Sequence, residues 1–189
     1  MNFSKRLNLF GDEIFAALNE RRLELEKQGK KIYNMSVGTP DFHTPDHIKK
    51  ALMEAADQNW RYSLRDLPEL LNAVCAYYKK RFHVEITPDM VMSVYGSQEG
   101  MGHLGMTLCD EGDVVLLPDP CYPVFAAGSK LGGAVPYYYP LVAEHDFLPY
   151  VKDIPEDVAR KARYMVVSLP SNPVGSIATP GLYEEIVTF

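Results

Sequence analysis

Three short segments carry the residues best suited to chemistry. In Gly96-Ser97-Gln98-Glu99-Gly100 a glycine at the end of a β-branched run passes directly to Ser and Gln at the start of a helical pattern. A helix start of this kind presents unpaired backbone N–H groups and the positive end of the helix dipole at one point, which suits an anion and above all a phosphate. A plain tight strand-to-helix turn would use the same residues. In Pro118-Asp119-Pro120-Cys121-Tyr122-Pro123 two prolines fix the path of the chain and a third follows Tyr122. The ring is therefore held on a stiff loop, fit either to stack on a planar ligand or to cap the edge of a core. In Leu169-Pro170-Ser171-Asn172-Pro173 the proline after Asn172 biases that residue toward extended backbone. Its amide is then either a donor held in one direction or part of an Asx turn. Taken together, the segments describe a phosphate cradle, a flat stacking surface and an oriented amide: a site for a planar, phosphorylated cofactor.

Other patterns carry less. Gly100-Met101-Gly102-His103-Leu104-Gly105 matches GxGxxG, and Asp119 follows the next strand as a ribose-binding acid would. The placement argues against a dinucleotide site, because the strand exits at Gly96 and the three glycines fall inside the helix, where they would serve close packing. His43 and His47 have i, i+4 spacing, but Pro45 lies between them and no third metal ligand is in view. His103 reads as a packed histidine and Glu144-His145-Asp146 as a solvated turn.

These segments need a scaffold, and the pattern of the chain supplies one. Residues 12–28 form an amphipathic helix ended by Gly29, and Tyr33–Phe42 reads as a short strand followed by an ordered loop. Thr44-Pro45-Asp46 starts a helix running to about Asp57, with the Thr hydroxyl as N-cap; Asp66-Leu67-Pro68-Glu69 starts another in the same way. From Val84 onward short apolar runs alternate with helical patterns: strands at 90–94, 113–117, 134–139 and 164–168, helices at 98–109, 122–131 and 155–161, and a last helix capped by Thr179-Pro180. Continuously apolar strands alternating with helices give an α/β fold, a three-layer, mostly parallel sheet with helices on both faces, preceded by an N-terminal helical arm. In such sheets ligands collect at the carboxyl ends of the strands.

Composition agrees with a globular protein. The 189 residues are 47% hydrophobic and 23% charged, which excludes a disordered or low-complexity chain. With 19 Lys+Arg against 25 Asp+Glu the formal charge is −6, and an acidic balance argues against a general nucleic-acid binder. No apolar run approaches the roughly 20 residues that span a bilayer. Met1–Phe10 carries Lys5 and Arg6 without an apolar stretch, so no secretory leader is expected. Three scattered cysteines, Cys75, Cys109 and Cys121, suit a reducing cytoplasm better than a disulfide framework.

In this order and spacing the segments resemble the N-terminal part of a fold-type I, pyridoxal-phosphate-dependent aminotransferase of class I/II, in the diaminopimelate and aspartate aminotransferase-like group. The resemblance covers nearly the whole chain: Ser36-Val37-Gly38-Thr39-Pro40-Asp41-Phe42, the Tyr62 loop with Leu67-Pro68-Glu69-Leu70, Gly96–Gly100, Asp110-Glu111-Gly112-Asp113-Val114-Val115-Leu116, Pro118–Pro123 and Pro170-Ser171-Asn172-Pro173-Val174-Gly175. It implies that Ser97 and Gln98 bind the phosphate of pyridoxal 5'-phosphate through backbone amides, that Tyr122 stacks on the pyridine ring and that Asn172 hydrogen-bonds the ring oxygen. It further implies that Gly38 offers its N–H to the substrate carboxylate. Tyr62 would reach the phosphate of the neighbouring subunit in a cytoplasmic homodimer acting on an amino acid and a 2-oxo acid. One departure is visible: Asp66 stands where relatives commonly have Gly.

The same resemblance divides the chain into an arm and small-domain segment, residues 1–45, and an incomplete large domain, 46–189. It places the lysine that holds the cofactor, the acid on the pyridine nitrogen and the carboxylate-binding arginine beyond the Asn-Pro segment, and no lysine of this chain matches. The sequence is therefore expected to be part of a larger polypeptide and not competent as an enzyme alone. Two further readings stay open, a non-catalytic binding or dimerising remnant and, on the GxGxxG match, a nucleotide-dependent oxidoreductase.

Overall fold

The run Val114-Val115-Leu116-Leu117 is apolar on both sides of its pleat, and in a computed structural model it forms the middle of a parallel sheet. The structure describes residues 3–11, 14–35, 38, 40–58 and 62–189. β1 (Val114–Asp119) lies between β2 (Val135–Pro140) and β3 (Ala162–Met165), in the order β2-β1-β3. Both pairings are parallel, with Leu116 opposite Tyr137 on one side and Met165 on the other. Alternate residues of β1 serve two cores. Val115 and Leu117 meet Ala134, with Phe125 and Ala126 packed against them. Leu116 joins Tyr139, Leu141, Val151 and Ile154, with Val158, Ala159 and Ile186 around them. A strand buried on both faces needs apolar residues at every position, so β1 reads as an unbroken run rather than an alternation.

The helices follow the sequence closely. α1 spans Ile14–Lys27, α2 Asp46–Ala56, α3 Pro68–Phe82, α4 Ser97–Leu108, α5 Pro123–Leu131, α6 Glu156–Ala159 and α7 Pro180–Thr188. α5 connects β1 to β2 and contributes Phe125 and Ala126 to one core; α6 and α7 contribute Val158, Ala159 and Ile186 to the other. Among the described residues no helix is long and apolar enough to cross a membrane. The chain divides into two compact units, Gly11–Ser93 and Met1–Phe10 with Val94–Phe189.

Several local expectations are corrected. Residues 90–94 are not a strand: a 3-10 turn at Pro88–Met90 leads into extended backbone, with Val91 at φ −123 and ψ 134. The dihedrals are those of a strand, but no neighbouring segment among the described residues completes a ladder. Described residues of Tyr33–Phe42 likewise form no strand, while Ser36, Val37 and Thr39 lie outside them. Neither Thr44 nor Asp66 caps a helix; the N-cap positions are Pro45 and Leu67, and neither cap makes a side-chain hydrogen bond. The Asp66 carboxylate instead accepts from the Ser93 N–H at 3.1 Å and from the Ser93 hydroxyl.

The glycines of the GxGxxG run lie inside α4, as their spacing implies, and one makes a close crossing. A Cβ at Gly105 would stand 2.3 Å from the Gly128 carbonyl oxygen, one at Gly128 2.3 Å from the Met101 oxygen, and one at Gly132 2.3 Å from the Gly105 oxygen. α4 and α5 thus touch backbone to backbone. Gly102 has open space in the direction of a side chain.

At the foot of the sheet Asp113 accepts from Arg163 Nε at 2.8 Å and from the Asp110 N–H at 2.9 Å. These bonds, the Arg163 contact foremost, hold its carboxyl below the usual carboxylate range, and Ser93 does the same for Asp66. A depressed folded pKa gives stability that is complete above the unfolded value and is lost as pH falls through the folded one. Thermal unfolding followed from neutral pH down to about pH 3 is expected to show an acid loss of stability that is shallower in Asp113→Asn.

Candidate functional site

Chain direction decides where the loops gather. From β1 the chain crosses through α5 on one face to reach β2, whereas β3 leads toward α7, which packs on the opposite face. β1 and β3 are neighbours whose outgoing connections diverge, and such a switch point opens a crevice at the carboxyl ends of the strands. The Pro118–Pro123 segment leaves β1 on one side of that point, and the Leu169–Pro173 segment leaves β3 on the other.

The start of α4 reaches the same place. Gly96 adopts φ 88 and ψ 150, backbone that glycine takes without steric cost, and its carbonyl accepts from the Glu99 N–H at 3.1 Å. The Glu99 carboxylate turns back to the Tyr95 N–H at 2.5 Å. No acceptor among the described residues takes the Ser97 and Gln98 amides, two of the donors that every helix start leaves open. With Ser97 and Gln98 exposed, these N–H groups face solvent beneath the positive end of a 12-residue helix.

Gln98 and Tyr122 are brought into contact: the Gln98 side-chain amide donates to the Tyr122 hydroxyl. Tyr122 is half-buried and packs edge-on to Phe125, with ring centroids 6.0 Å apart and planes at 76°. One edge of the ring is thereby fixed while its hydroxyl marks the start of α4. The peptide bonds Asp119-Pro120, Leu169-Pro170 and Asn172-Pro173 are all cis. Asn172 is exposed, and none of the described residues holds its side chain by a hydrogen bond.

Cys121 lies in the same loop. Burial first, and the Asp119 carboxylate second, push its thiol up, so the sulfur stays protonated and is a poor nucleophile. Gly38 and Tyr62 belong to the other compact unit, where both are exposed; Tyr62 is 98% accessible. Trp60 and Arg61 beside it lie outside the described residues. Sequence reasoning missed Glu99 as the residue that turns away from the open amides. The signal was present, since an acid at the third helical position commonly bonds backward to the residues before the helix.

An exposed pair of amides at a helix start, an aromatic ring fixed at its edge and an exposed Asn172 at a switch point can receive a flat ring bearing an anionic group. Comparison with known proteins points the same way. The family described as "Aminotransferase class I and II" matches residues 30–189. LL-diaminopimelate aminotransferase of Dehalococcoides mccartyi is 38% identical over 193 residues, covering 100% of this chain and 50% of the relative. LL-diaminopimelate aminotransferase 2 of Trichormus variabilis is 39% identical over 194 residues with the same coverage. Among solved structures, the alanine aminotransferase of Pyrococcus furiosus superposes with a TM-score of 0.89 at 31% identity, over 99% of this chain and 49% of that one. A probable N-succinyldiaminopimelate aminotransferase from Thermus thermophilus gives 0.85 at 29% identity, over 93% and 48%. The chain spans about half the length of the curated relatives it matches.

Proposed function

The chain belongs to the class I and II aminotransferase family, with the fold-type I architecture of pyridoxal-phosphate enzymes, and from that premise we propose that it forms the N-terminal, cofactor-cradling half of a transaminase. The protein would move an amino group between an amino acid and a 2-oxo acid. The observation that carries this reading is the hydrogen bond from Gln98 to Tyr122, which ties an open helix start to a fixed ring at the switch point of the sheet.

Bound pyridoxal phosphate supplies an electron-withdrawing ring that stabilises negative charge at the substrate α-carbon. Ser97 and Gln98 hold the phosphate through their backbone N–H groups, where the dipole of α4 favours its charge. Tyr122 covers one face of the ring, and its bond to Gln98 keeps the stacking surface in register with the phosphate cradle. Asn172 donates its amide to the ring oxygen from the opposite lip of the crevice. Gly38 offers its N–H to the substrate carboxylate, and Tyr62 reaches the phosphate of a neighbouring subunit in a homodimer. The exposure of Tyr62 is in keeping with that role. We assign residues 1–45 to an arm and small-domain segment and 46–189 to the large domain. A cytoplasmic location fits three cysteines that are all free.

The name shared by the curated relatives favours LL-diaminopimelate as amino donor. In the full-length protein, added pyridoxal phosphate is expected to give a visible absorption band, and LL-diaminopimelate is expected to pass its amino group to a 2-oxo acid faster than alanine does. Absence of both the band and transfer from any amino acid would overturn the reading.

A further inference from the structure

The segment that carries Asn172 is tied at both ends to distant parts of the chain by hydrogen bonds that involve a side chain. At its start the hydroxyl of buried Tyr139 donates to the Val166 carbonyl at 2.6 Å. At its end Ser176 Oγ donates to the Phe147 carbonyl at 2.8 Å. Between these ties the loop closes on itself: the Ser171 N–H donates to the Ser176 carbonyl at 3.0 Å, and the Gly175 N–H to the Ser171 carbonyl at 2.6 Å. Ser171 is buried, and Val174 packs on the core around Leu116 and Tyr139. The anchor is itself fixed, because the Phe147 N–H donates to the Val142 carbonyl at 2.9 Å.

Asn172 stands on the open side of this ring of bonds, and none of the described residues holds its amide. Its direction therefore depends on the backbone of the loop. Ser176 is where that backbone is fastened to the 142–150 segment. A binding group needs placement within about 0.5 Å and 10–20° to work at full strength, and such placement comes from the bonds behind it. Building on the proposed role of Asn172, we propose that Ser176 is a positioning residue, whose hydroxyl aims the Asn172 amide at the ring oxygen of the cofactor through the closed Ser171–Ser176 loop. The Phe147 carbonyl is at an exposed residue, so water replaces the lost bond in Ser176→Ala. The fold then persists while the aim is lost.

The test uses the full-length protein loaded with pyridoxal phosphate and follows the pH midpoint of its visible absorption band. Asn172→Ala shifts that midpoint. Ser176→Ala is expected to shift it in the same direction by less, up to about 0.7 pH unit, the net worth of one ordinary hydrogen bond. Ser176→Thr, which keeps the hydroxyl, restores the parent value. In the cofactor-free protein, amide exchange at Ser171 and Gly175 is expected to quicken by roughly twofold to tenfold in Ser176→Ala, with Leu116 and Leu117 unchanged. A parent-like midpoint in Ser176→Ala while Asn172→Ala shifts overturns the role of Ser176 and leaves that of Asn172 standing, whatever the exchange rates do. An unshifted midpoint in Asn172→Ala overturns both.

Discussion

Ser97→Pro is expected to weaken pyridoxal phosphate binding by roughly tenfold to 150-fold in the full-length protein, while Ser97→Ala changes it little. The pair separates backbone from side chain. Ser97 is the first helical residue of α4, a position where proline is tolerated because its missing N–H has no intrahelical partner. The residue before a proline must be extended, and Gly96 already has ψ 150. Proline thus leaves the helix in place and removes one donor from the phosphate cradle. A hydrogen bond to a charged group is worth about 1.5–3 kcal/mol, which gives the stated range. Equilibrium titration of the apoprotein with pyridoxal phosphate measures it. Equal affinities for the proline and alanine variants would mean that the Ser97 amide does not hold the phosphate.

The second large effect lies at the crossing of α4 and α5. Gly105→Ala places a methyl group 2.3 Å from the Gly128 carbonyl oxygen, well inside contact distance, and the obstacle is backbone that no rotamer change can clear. The helices must part, and overpacking of this kind costs about 1–3 kcal/mol. Separation also disturbs the core of Val115, Leu117 and Phe125 under α5. Gly102→Ala, three residues earlier on the same helix, meets nothing within 4 Å and should gain stability through helix propensity, by about 1 kcal/mol at most. Thermal unfolding of the two variants checks the contrast. A neutral Gly105→Ala would mean that α4 and α5 do not meet at these glycines. Because α4 carries Ser97 and Gln98 at its other end, Gly105→Ala should also weaken cofactor binding, whereas Gly102→Ala should not.

Asp66 illustrates how an acid just before a helix can find a distant partner. Its carboxylate does not cap α3; it gathers the Ser93 N–H and hydroxyl across 27 residues. That bond fastens the stretch before Val94 to the α3 region of the same unit. Nothing within the Asp66–Glu69 tetrapeptide could announce it, since the partner is remote in sequence.

The sequence by itself determined the helices, two strands of the sheet, the presence of a third (expected at 164–168, found at Ala162–Met165) and the three proline- or glycine-marked segments, because each rests on short-range physics. Apolar runs such as 114–117 must be buried on both faces, Pro68, Pro123 and Pro180 mark helix starts, and Gly96 allows the turn into α4. The likeness of the ordered segments to class I/II aminotransferases was legible for the same reason. Only the tertiary structure decided what depends on a distant partner. Residues 90–94 have the composition of a strand and Val91 has its dihedrals, yet a strand is made by its neighbour's hydrogen bonds. Gly105 could be recognised as a packing residue, but the choice of Gly128 and Gly132 as its counterparts came from the way α4 crosses α5. The contact of Gln98 with Tyr122 and the tie of Ser176 to Phe147 join positions 24 and 29 residues apart. Hydrogen bonds over such separations leave no periodicity in the chain, and they exist only once the sheet has set the direction of every loop.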